Sequence, residues 1–205
     1  MLKLFGAPGC GSAGVEAILQ LAGRPYDYVK TSFWHQNEHY AALVKANPQA
    51  KVPTLVLDDG TVMTESAAML LYFAEQVPGM IPADPAMRAR FYRWMVFIPA
   101  NIYAMFDIGD EPSRWVEGEE MQKSLKERSV DRQKFFWGLV EQNLSPAPYV
   151  LGGEMTALDI YIAMVSRWRP GRAWFNEHCP KLAKAVALTE RHPVIAKVWE
   201  KNFGS

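Results

Sequence analysis

Apolar and polar residues follow one pattern in the first 80 residues of this chain and a different one afterwards. Residues 2–5 alternate Leu, Lys, Leu and Phe, as a half-buried strand does. Apolar residues at 15, 18, 19 and 22 then recur at the spacing of one buried helix face. Tyr26–Val29 supplies a second strand, so the chain is predicted to begin with a β-α-β unit.

A hairpin is the next strong signal. The strands Thr54–Leu57 and Thr61–Thr64 flank an Asp-Asp-Gly turn, and Asp-Gly favours a tight hairpin because glycine accepts a positive φ. A short helix is expected before it, at Glu38–Lys45, and helical spacing returns from Ser66. These elements predict an α/β domain over residues 1–78.

The second part of the chain reads as helical. Val77-Pro-Gly79 and Ile81-Pro-Ala-Asp-Pro85 form a proline-rich stretch, which predicts a linker over 79–88 followed by an all-helical domain over 89–205. Long helices are expected at 87–106, kinked at Pro99, and at 119–143. Thr156-Ala-Leu-Asp159 has the form of a capping box that starts a buried helix running to Trp168. Further helices are expected at 180–190 and 193–202.

Composition and charge exclude several classes of protein. The 205 residues are 49% hydrophobic and 21% charged, and 22 basic residues balance 22 acidic ones. A neutral chain lacks the excess charge that drives binding to nucleic acid or to anionic membranes. No run approaches the ~18 apolar residues of a membrane span, and two cysteines define neither a disulfide framework nor a metal site. We expect a soluble, cytoplasmic protein without a nucleic-acid, membrane or metal partner.

A cysteine at a loop-to-helix junction is the first candidate for chemistry. Cys10 lies in Ala7-Pro-Gly-Cys-Gly-Ser12, directly before the first helix, where unpaired N–H groups and the helix dipole stabilise a nearby thiolate. Such a cysteine can be a reactive nucleophile, or it can donate a hydrogen bond to the thiolate of another molecule. Alternatively, Cys10 is a small turn residue and Ser12 only caps the helix.

Two further junctions could bind a peptide-like ligand. A cis peptide bond before Pro53 would leave the N–H and C=O of Val52 free to pair with a ligand backbone, whereas a trans proline at a strand start would be ordinary. Glu65 and Ser66 stand where a strand meets a helix, so together they suit the ammonium and carboxylate of an α-amino acid. Alone, Ser66 is more often a helix cap.

These residues together resemble the cytosolic glutathione S-transferase family over the whole chain. The resemblance rests on an ordered set: the turn with Cys10, then Asn47-Pro-Gln-Ala-Lys-Val-Pro53, Asp59-Gly60, Glu65-Ser66-Ala-Ala-Met-Leu-Leu-Tyr72 and the Thr156–Asp159 cap. It implies a thioredoxin-like domain followed by an all-α domain, with glutathione as co-substrate, a small hydrophobic electrophile as second substrate, a role in detoxification and a homodimeric assembly.

The resemblance also implies roles for individual residues. Glu65 and Ser66 would hold the γ-glutamyl end of glutathione, and Val52, before a cis Pro53, would pair with its cysteinyl backbone. Gln36 or His35, together with Lys51, would meet the glycyl carboxylate. The electrophile site would lie between the domains and be formed by the turn after the first strand and by the first long helix. Its candidate residues are Trp94, Phe97, Asn101 and Met105, together with Trp168.

The residue that contacts the glutathione sulfur stays open between Cys10 and Ser12. A serine-type enzyme stabilises the glutathione thiolate for conjugation, whereas a cysteine can form a mixed disulfide and carry out thiol transfer. Cys10 lacks the Cys-Pro-Phe sequence of better-known thiol-transferring relatives. We therefore expect a glutathione transferase, with thiol transfer or a non-catalytic binding role as alternatives.

Overall fold

A mixed four-stranded sheet forms the centre of the first part of the chain. The computed structural model describes residues 1–204. Its strands are β1 Leu2–Gly6, β2 Tyr26–Lys30, β3 Thr54–Val56 and β4 Val62–Met63, in the order β2-β1-β3-β4. β1 runs parallel to β2 and antiparallel to β3, and β3 pairs antiparallel with β4. The predicted β-α-β unit and hairpin are confirmed.

Helices account for most of the remaining chain. They are α1 Ser12–Leu21, α2 Tyr40–Ala46, α3 Ser66–Ala74, α4 Pro85–Phe97, α5 Ala104–Asp110, α6 Glu119–Asn143, α7 Ala157–Val165, α8 Arg172–His178, α9 Pro180–Glu190 and α10 Pro193–Phe203. Within residues 1–204, none of them combines the length and the apolar character that crossing a membrane requires. A thioredoxin-like sheet domain and an all-α domain are the predicted fold class, which is confirmed.

The chain divides into two compact units, and the last helix belongs to the first of them. One unit comprises Met1–Ile81 and the segment from Thr189 onward, and the other comprises Pro82–Leu188. The expected helical domain over 89–205 therefore differs from the structure at its C-terminal end. The physical reason is that α10 packs on α1, where Lys201 and Asn202 both bond to the buried Glu16.

The second unit begins within the stretch that was expected to be a linker. α4 starts at Pro85, a position that proline tolerates because the first helical N–H has no partner within the helix. The side chain of Asp84 caps this helix by accepting a hydrogen bond from the Met87 N–H at 2.8 Å. Proline in 79–88 therefore marks a helix start as well as a connection.

The expected single helix over 87–106 is three helical segments in the structure. α4 leads into a π-helical segment, Ile98–Tyr103, and α5 follows it. Pro99 lies in this wider segment, and since proline lacks an N–H it cannot form the usual bond to the preceding turn. The Asn101 Nδ2 donates to the Phe97 carbonyl at 3.0 Å, which supplies a partner for one carbonyl at the transition.

Asp159 organises the centre of the helical unit. It is 1% exposed, and one carboxylate oxygen accepts from both the N–H and the hydroxyl of Thr156 at 2.8 Å, while the other accepts from the Val150 N–H at 2.8 Å. The capping box predicted from the sequence is thus present, and the helix after it is buried throughout. α7 ends at Val165, however, and Trp168 follows in a turn instead of in the helix.

The long helix α6 buries an amide that nothing in its surroundings satisfies. Gln133 is fully buried, and within residues 1–204 neither its Nε2 nor its Oε1 has a hydrogen-bond partner. A buried polar group without a partner costs stability, because it has given up its bonds to water and gained none in return.

We expect Gln133→Met to raise the free energy of unfolding by about 1–2 kcal/mol, since methionine fills a similar volume without polar atoms that need partners. Urea unfolding followed by circular dichroism measures the change. Gln142→Met, at an exposed position of the same helix, is the matched control and should alter stability by less than about 0.5 kcal/mol. A loss of stability in Gln133→Met would contradict the interpretation.

Candidate functional site

The register of the sheet brings the predicted ligand-binding segments to one end of it. Phe5 pairs with Thr54, and Leu55 pairs with Met63. The end of β1, the start of β3 and the end of β4 are therefore neighbours, and the segments attached to them are the Cys10 turn, Val52–Pro53 and Glu65–Ser66. Residues separated by up to 56 positions in the sequence meet in this way because antiparallel pairing reverses the chain direction.

The turn after β1 positions Cys10 just before α1. The Cys10 N–H donates to the Ala7 carbonyl at 3.2 Å, and the Cys10 carbonyl accepts from the Ala13 N–H at 3.1 Å. The Ser12 hydroxyl donates back to the same Ala7 carbonyl at 3.1 Å and is fully buried. Of the two candidates for the sulfur contact, only Cys10 has part of its surface exposed.

Gly6 is needed where this turn leaves the sheet. A Cβ on Gly6 would lie 2.7 Å from the Cβ and Oγ of Ser12 and 2.9 Å from Cε2 of Tyr28. Any other residue would collide with both, so the glycine permits the close approach of strand, turn and helix.

Burial controls the chemistry of Cys10. It raises the pKa of the Cys10 thiol from 9.0 to about 11, so at neutral pH the side chain is a neutral S–H group. A neutral thiol is a hydrogen-bond donor and a poor nucleophile. Cys179 is also a free thiol and is buried in the helical unit, where burial and the charge of Glu141 raise its pKa to about 12.

A buried asparagine shapes the segment before β3. The Asn47 Nδ2 donates to the Thr54 hydroxyl at 3.0 Å and to the Lys51 carbonyl at 3.3 Å, while its Oδ1 accepts from the Gln49 N–H at 3.1 Å. The Thr54 hydroxyl donates to the same Lys51 carbonyl at 2.8 Å. Asn47 thus ties both ends of this segment together, and its role was not recognised from the sequence although the residue is part of the motif.

The segment that Asn47 holds presents the backbone of Val52. The Val52–Pro53 peptide bond is cis. Within residues 1–204, the Val52 N–H and C=O have no hydrogen-bond partner, and the residue is half-exposed. Both groups are therefore available to an extended ligand backbone.

Glu65 stands in a backbone conformation that side chains rarely adopt. Its φ is 65° and its ψ is 101°, directly before the start of α3. Such a conformation costs about 1–3 kcal/mol and persists where the surroundings impose it, often at a ligand site. The Glu65 side chain is exposed, and Ser66 occupies the first position of the helix with 6% of its surface exposed. An exposed carboxylate next to a helix N-terminus suits a ligand that carries both an ammonium and a carboxylate.

The residues that were predicted to bind the terminal carboxylate of the ligand lie on exposed loops. Gln36 and His35 follow β2, and the Gln36 Nε2 donates to the Phe33 carbonyl at 3.4 Å. The backbone N–H of His35 donates to the Ser32 hydroxyl at 3.1 Å, and the residue is exposed. Lys51 is also exposed, directly before Val52.

The four residues of the helical unit that were predicted to contact an electrophile differ in how exposed they are. Trp94 is only 1% exposed and meets the ring of Phe97 edge-on at 5.0 Å between centroids. Phe97, Asn101 and Met105 are half-exposed. Trp168 packs edge-on against Tyr103 and Phe106, at 5.2 and 5.4 Å. The structure thus places Trp94 in the core of the helical unit and leaves the other three partly accessible.

Comparison with known proteins relates the chain to glutathione S-transferases. Residues 4–80 match the family model described as glutathione S-transferase, N-terminal domain. The chain is 31% identical over 204 residues to the uncharacterized GST-like protein YncG of Escherichia coli (strain K12), with 98% of each chain covered. It is 26% identical over 175 residues to the glutathione S-transferase GstA of Escherichia coli O157:H7, with 82% of each covered.

A solved structure shares the architecture. It is a glutathione transferase homolog from sulfitobacter with bound glutathione, which has a TM-score of 0.87, 26% identity and 98% of each chain covered. The sheet, the helical unit and the site at the end of the sheet define a protein of the glutathione-transferase fold. The chain belongs to the glutathione S-transferase family.

We expect Asn47→Ala to lower the free energy of unfolding by about 1–3 kcal/mol, because it removes three hydrogen bonds of a buried side chain that tie the segment before β3 together. Urea unfolding measures the loss. Gln49→Ala, in the same segment but exposed, is the control and should change stability by less than about 0.5 kcal/mol. Equal effects of the two substitutions would contradict a special role for Asn47.

Proposed function

We propose that this protein is a glutathione transferase that activates the thiol of glutathione for attack on a hydrophobic electrophile. The observation that carries the proposal is the sheet register, which gathers the Cys10 turn, the open backbone of Val52 and the Glu65–Ser66 pair at one end of the sheet. The sequence relative GstA is named a glutathione S-transferase, and the sulfitobacter homolog was solved with glutathione.

Each part of glutathione has a chemical counterpart in this arrangement. The Glu65 carboxylate suits the ammonium of the γ-glutamyl group, and Ser66 at the start of α3 suits its carboxylate, which the helix dipole also favours. The Val52 N–H and C=O suit the cysteinyl backbone in antiparallel pairing. Lys51, with Gln36 or His35, supplies exposed polar groups for the glycyl carboxylate.

Cys10 then acts as a hydrogen-bond donor to the sulfur of glutathione. Its own thiol stays protonated at neutral pH because burial raises its pKa to about 11, so it can donate S–H to the thiolate of the bound tripeptide. That thiolate attacks an electrophilic carbon and forms the C–S bond, while the leaving group departs with its electron pair. The proton lost from glutathione goes to solvent.

The same property of Cys10 argues for conjugation over thiol transfer. Thiol transfer requires Cys10 itself to be the thiolate that attacks a disulfide, and a raised pKa leaves very little thiolate at neutral pH. Ser12 is the less favourable sulfur donor, since its hydroxyl is buried and already donates to Ala7.

The helical unit supplies the contacts for the electrophile in this proposal. Phe97 and Met105 offer partly exposed apolar surface, and Asn101 lies between them on the π-helical segment. Trp94 supports the ring of Phe97 from the core. The family resemblance extends the proposal to a homodimer that removes electrophiles in the cytoplasm.

We expect Cys10→Ser to keep conjugation within about threefold of the wild type, because a hydroxyl also donates a hydrogen bond to the thiolate. Conjugation of a chloronitrobenzene and reduction of a glutathione mixed disulfide are measured side by side. The wild type should reduce the disulfide poorly, and iodoacetamide should alkylate Cys10 slowly at pH 7 and faster as the pH rises toward about 11.

Cys10→Ala and Ser12→Ala complete this comparison. Removal of the donor in Cys10→Ala should lower kcat/KM by about 10–100-fold, in the range of a lost hydrogen bond to a charged group. Strong disulfide reduction by the wild type that disappears in Cys10→Ser would replace conjugation with thiol transfer. A larger loss of conjugation in Ser12→Ala, with the fold intact, would move the sulfur contact to Ser12. Absence of glutathione binding at millimolar concentration would leave a non-catalytic binding protein.

Replacing Glu65 with glycine or with alanine should separate binding from stability. Both changes remove the carboxylate and should weaken glutathione binding by at least about tenfold, as loss of a charged hydrogen bond does. Glu65→Gly should be about 1 kcal/mol more stable than Glu65→Ala, because only glycine adopts the positive φ without strain. Calorimetric titration and urea unfolding give the two quantities. Unchanged affinity in both variants would exclude Glu65 as a glutathione ligand.

A further inference from the structure

A fully buried carboxylate lies beneath the Cys10 turn. Glu16 is one helical turn beyond Ser12 on α1, and 0% of its surface is exposed. It accepts hydrogen bonds from the Tyr26 hydroxyl at 3.0 Å and from the Asn202 Nδ2 at 2.9 Å, and it forms an ion pair with the Lys201 ammonium. A carboxylate in the protein interior requires such partners, since burial without them is very costly.

The last turn of α10 also contacts the Cys10 turn itself. The Lys201 ammonium lies 4.1 Å from the centroid of the Tyr28 ring, and the edge of that ring approaches Gly6. The Asn202 carbonyl oxygen is 4.0 Å from the position of a Cβ on Gly9. The end of α10 therefore borders the turn that carries Cys10.

Lys201 is the cation that compensates Glu16. The elements packed around α1 carry several other titratable groups. Within residues 1–204, only Lys201 forms an ion pair with Glu16. The pKa of Tyr28 is raised to about 12, chiefly by burial and further by the charges of Glu16 and Cys10. Glu16 and Cys10 therefore both act electrostatically on Tyr28. The remaining ionisable side chains on these elements are Lys3 on β1, Tyr26 and the exposed Asp27 and Lys30 on β2, Tyr72 on α3, and Lys197 and Glu200 on α10.

We propose that Lys201 is a positioning and charge-compensating residue for the sulfur site: by neutralising Glu16 it allows the glutathione sulfur to carry a negative charge at the Cys10 turn. The catalytic part of this inference, the effect of Lys201 on the glutathione sulfur, rests on the proposed function. The effect of the Glu16–Lys201 pair on the ionisation of the Cys10 thiol can be tested without glutathione.

The size of the effect follows from helix geometry. Glu16 is four residues beyond Ser12, about 6 Å along a helix that rises about 1.5 Å per residue, and Cys10 precedes Ser12 by two non-helical residues, so Glu16 and Cys10 are on the order of 10 Å apart. At an effective dielectric constant of about 20, a full charge at that distance changes the pKa of a thiol by about one unit. Glu16 without Lys201 should therefore raise the pKa of a thiol at the turn, and Lys201 without Glu16 should lower it.

Three variants and one control test this balance. In Lys201→Met, the acid limb of the pH profile of kcat/KM for the electrophile, measured at saturating glutathione, should move up by about one unit. In Glu16→Gln it should move down by up to about one unit, and in the double variant it should return close to the wild-type value. Lys197→Met, an exposed lysine one turn earlier on α10, should leave the profile unchanged.

Alkylation of Cys10 by iodoacetamide at fixed pH, followed on the Cys10 peptide by mass spectrometry, gives the second readout. The rate should fall about tenfold in Lys201→Met, rise in Glu16→Gln and recover in the double variant, whether or not the protein conjugates glutathione. If conjugation is absent but these rates shift, the proposed function fails and the charge balance stands.

Unchanged profiles and rates in folded variants would overturn the inference, and so would shifts of the same sign in both single variants. A purely structural role would lower activity without moving the pH profile. If Lys201→Met does not fold, Glu16→Gln alone decides, because the removal of the negative charge must shift the profile and the alkylation rate in the opposite direction.

Discussion

The need to neutralise one buried carboxylate determines how the first unit is assembled. Glu16 faces the interior from α1 and takes partners from β2 and from α10. Two of those partners, Lys201 and Asn202, are more than 180 residues away in the sequence, so the chain has to return from the helical unit to supply them. The C-terminal helix is consequently part of the glutathione-transferase sheet unit, and it borders the turn on which the proposed chemistry depends.

A second buried carboxylate has the same organising role in the helical unit, but it is satisfied differently. Asp159 accepts its hydrogen bonds from Thr156 and Val150, all within ten residues of it. Burial raises its pKa to about 6, which the hydrogen bonds from Val150 and Thr156 oppose. Neutral donors, two backbone N–H groups and one hydroxyl, are enough at a helix start because the helix dipole adds to them. Glu16 lies in mid-helix, where that contribution is weaker, and it is paired with a cation.

This contrast explains what could be predicted from the sequence. The partners of Asp159 are close to it in the sequence, so the four residues Thr156–Asp159 were enough to predict the capping box. The Asp-Gly hairpin was predictable because its two strands are also neighbours in the sequence. The ordered set of motifs from the Cys10 turn to the Thr156–Asp159 cap indicated the family. The partners of Glu16 on α10 lie across the fold. The hydrogen bonds of Asn47 and of the Ser12 hydroxyl join residues within seven positions of each other, but they depend on irregular backbone segments that no helix or strand periodicity describes. No spacing along the chain shows that α10 supplies the partners of Glu16, so the packing of this helix on α1 could not be predicted from the sequence.

The first half of α1 and the turn before it thus carry two acidic groups in unlike environments. Glu16 has a cation and two hydrogen-bond donors, whereas Cys10 is buried enough that its pKa rises and the thiol keeps its proton. A helix N-terminus stabilises negative charge, and in this arrangement neither side chain uses that capacity: the charge of Glu16 is already paired and Cys10 is neutral. The favourable potential of the turn remains for a ligand that brings its own anion, which is what a thiol cofactor that ionises on binding requires.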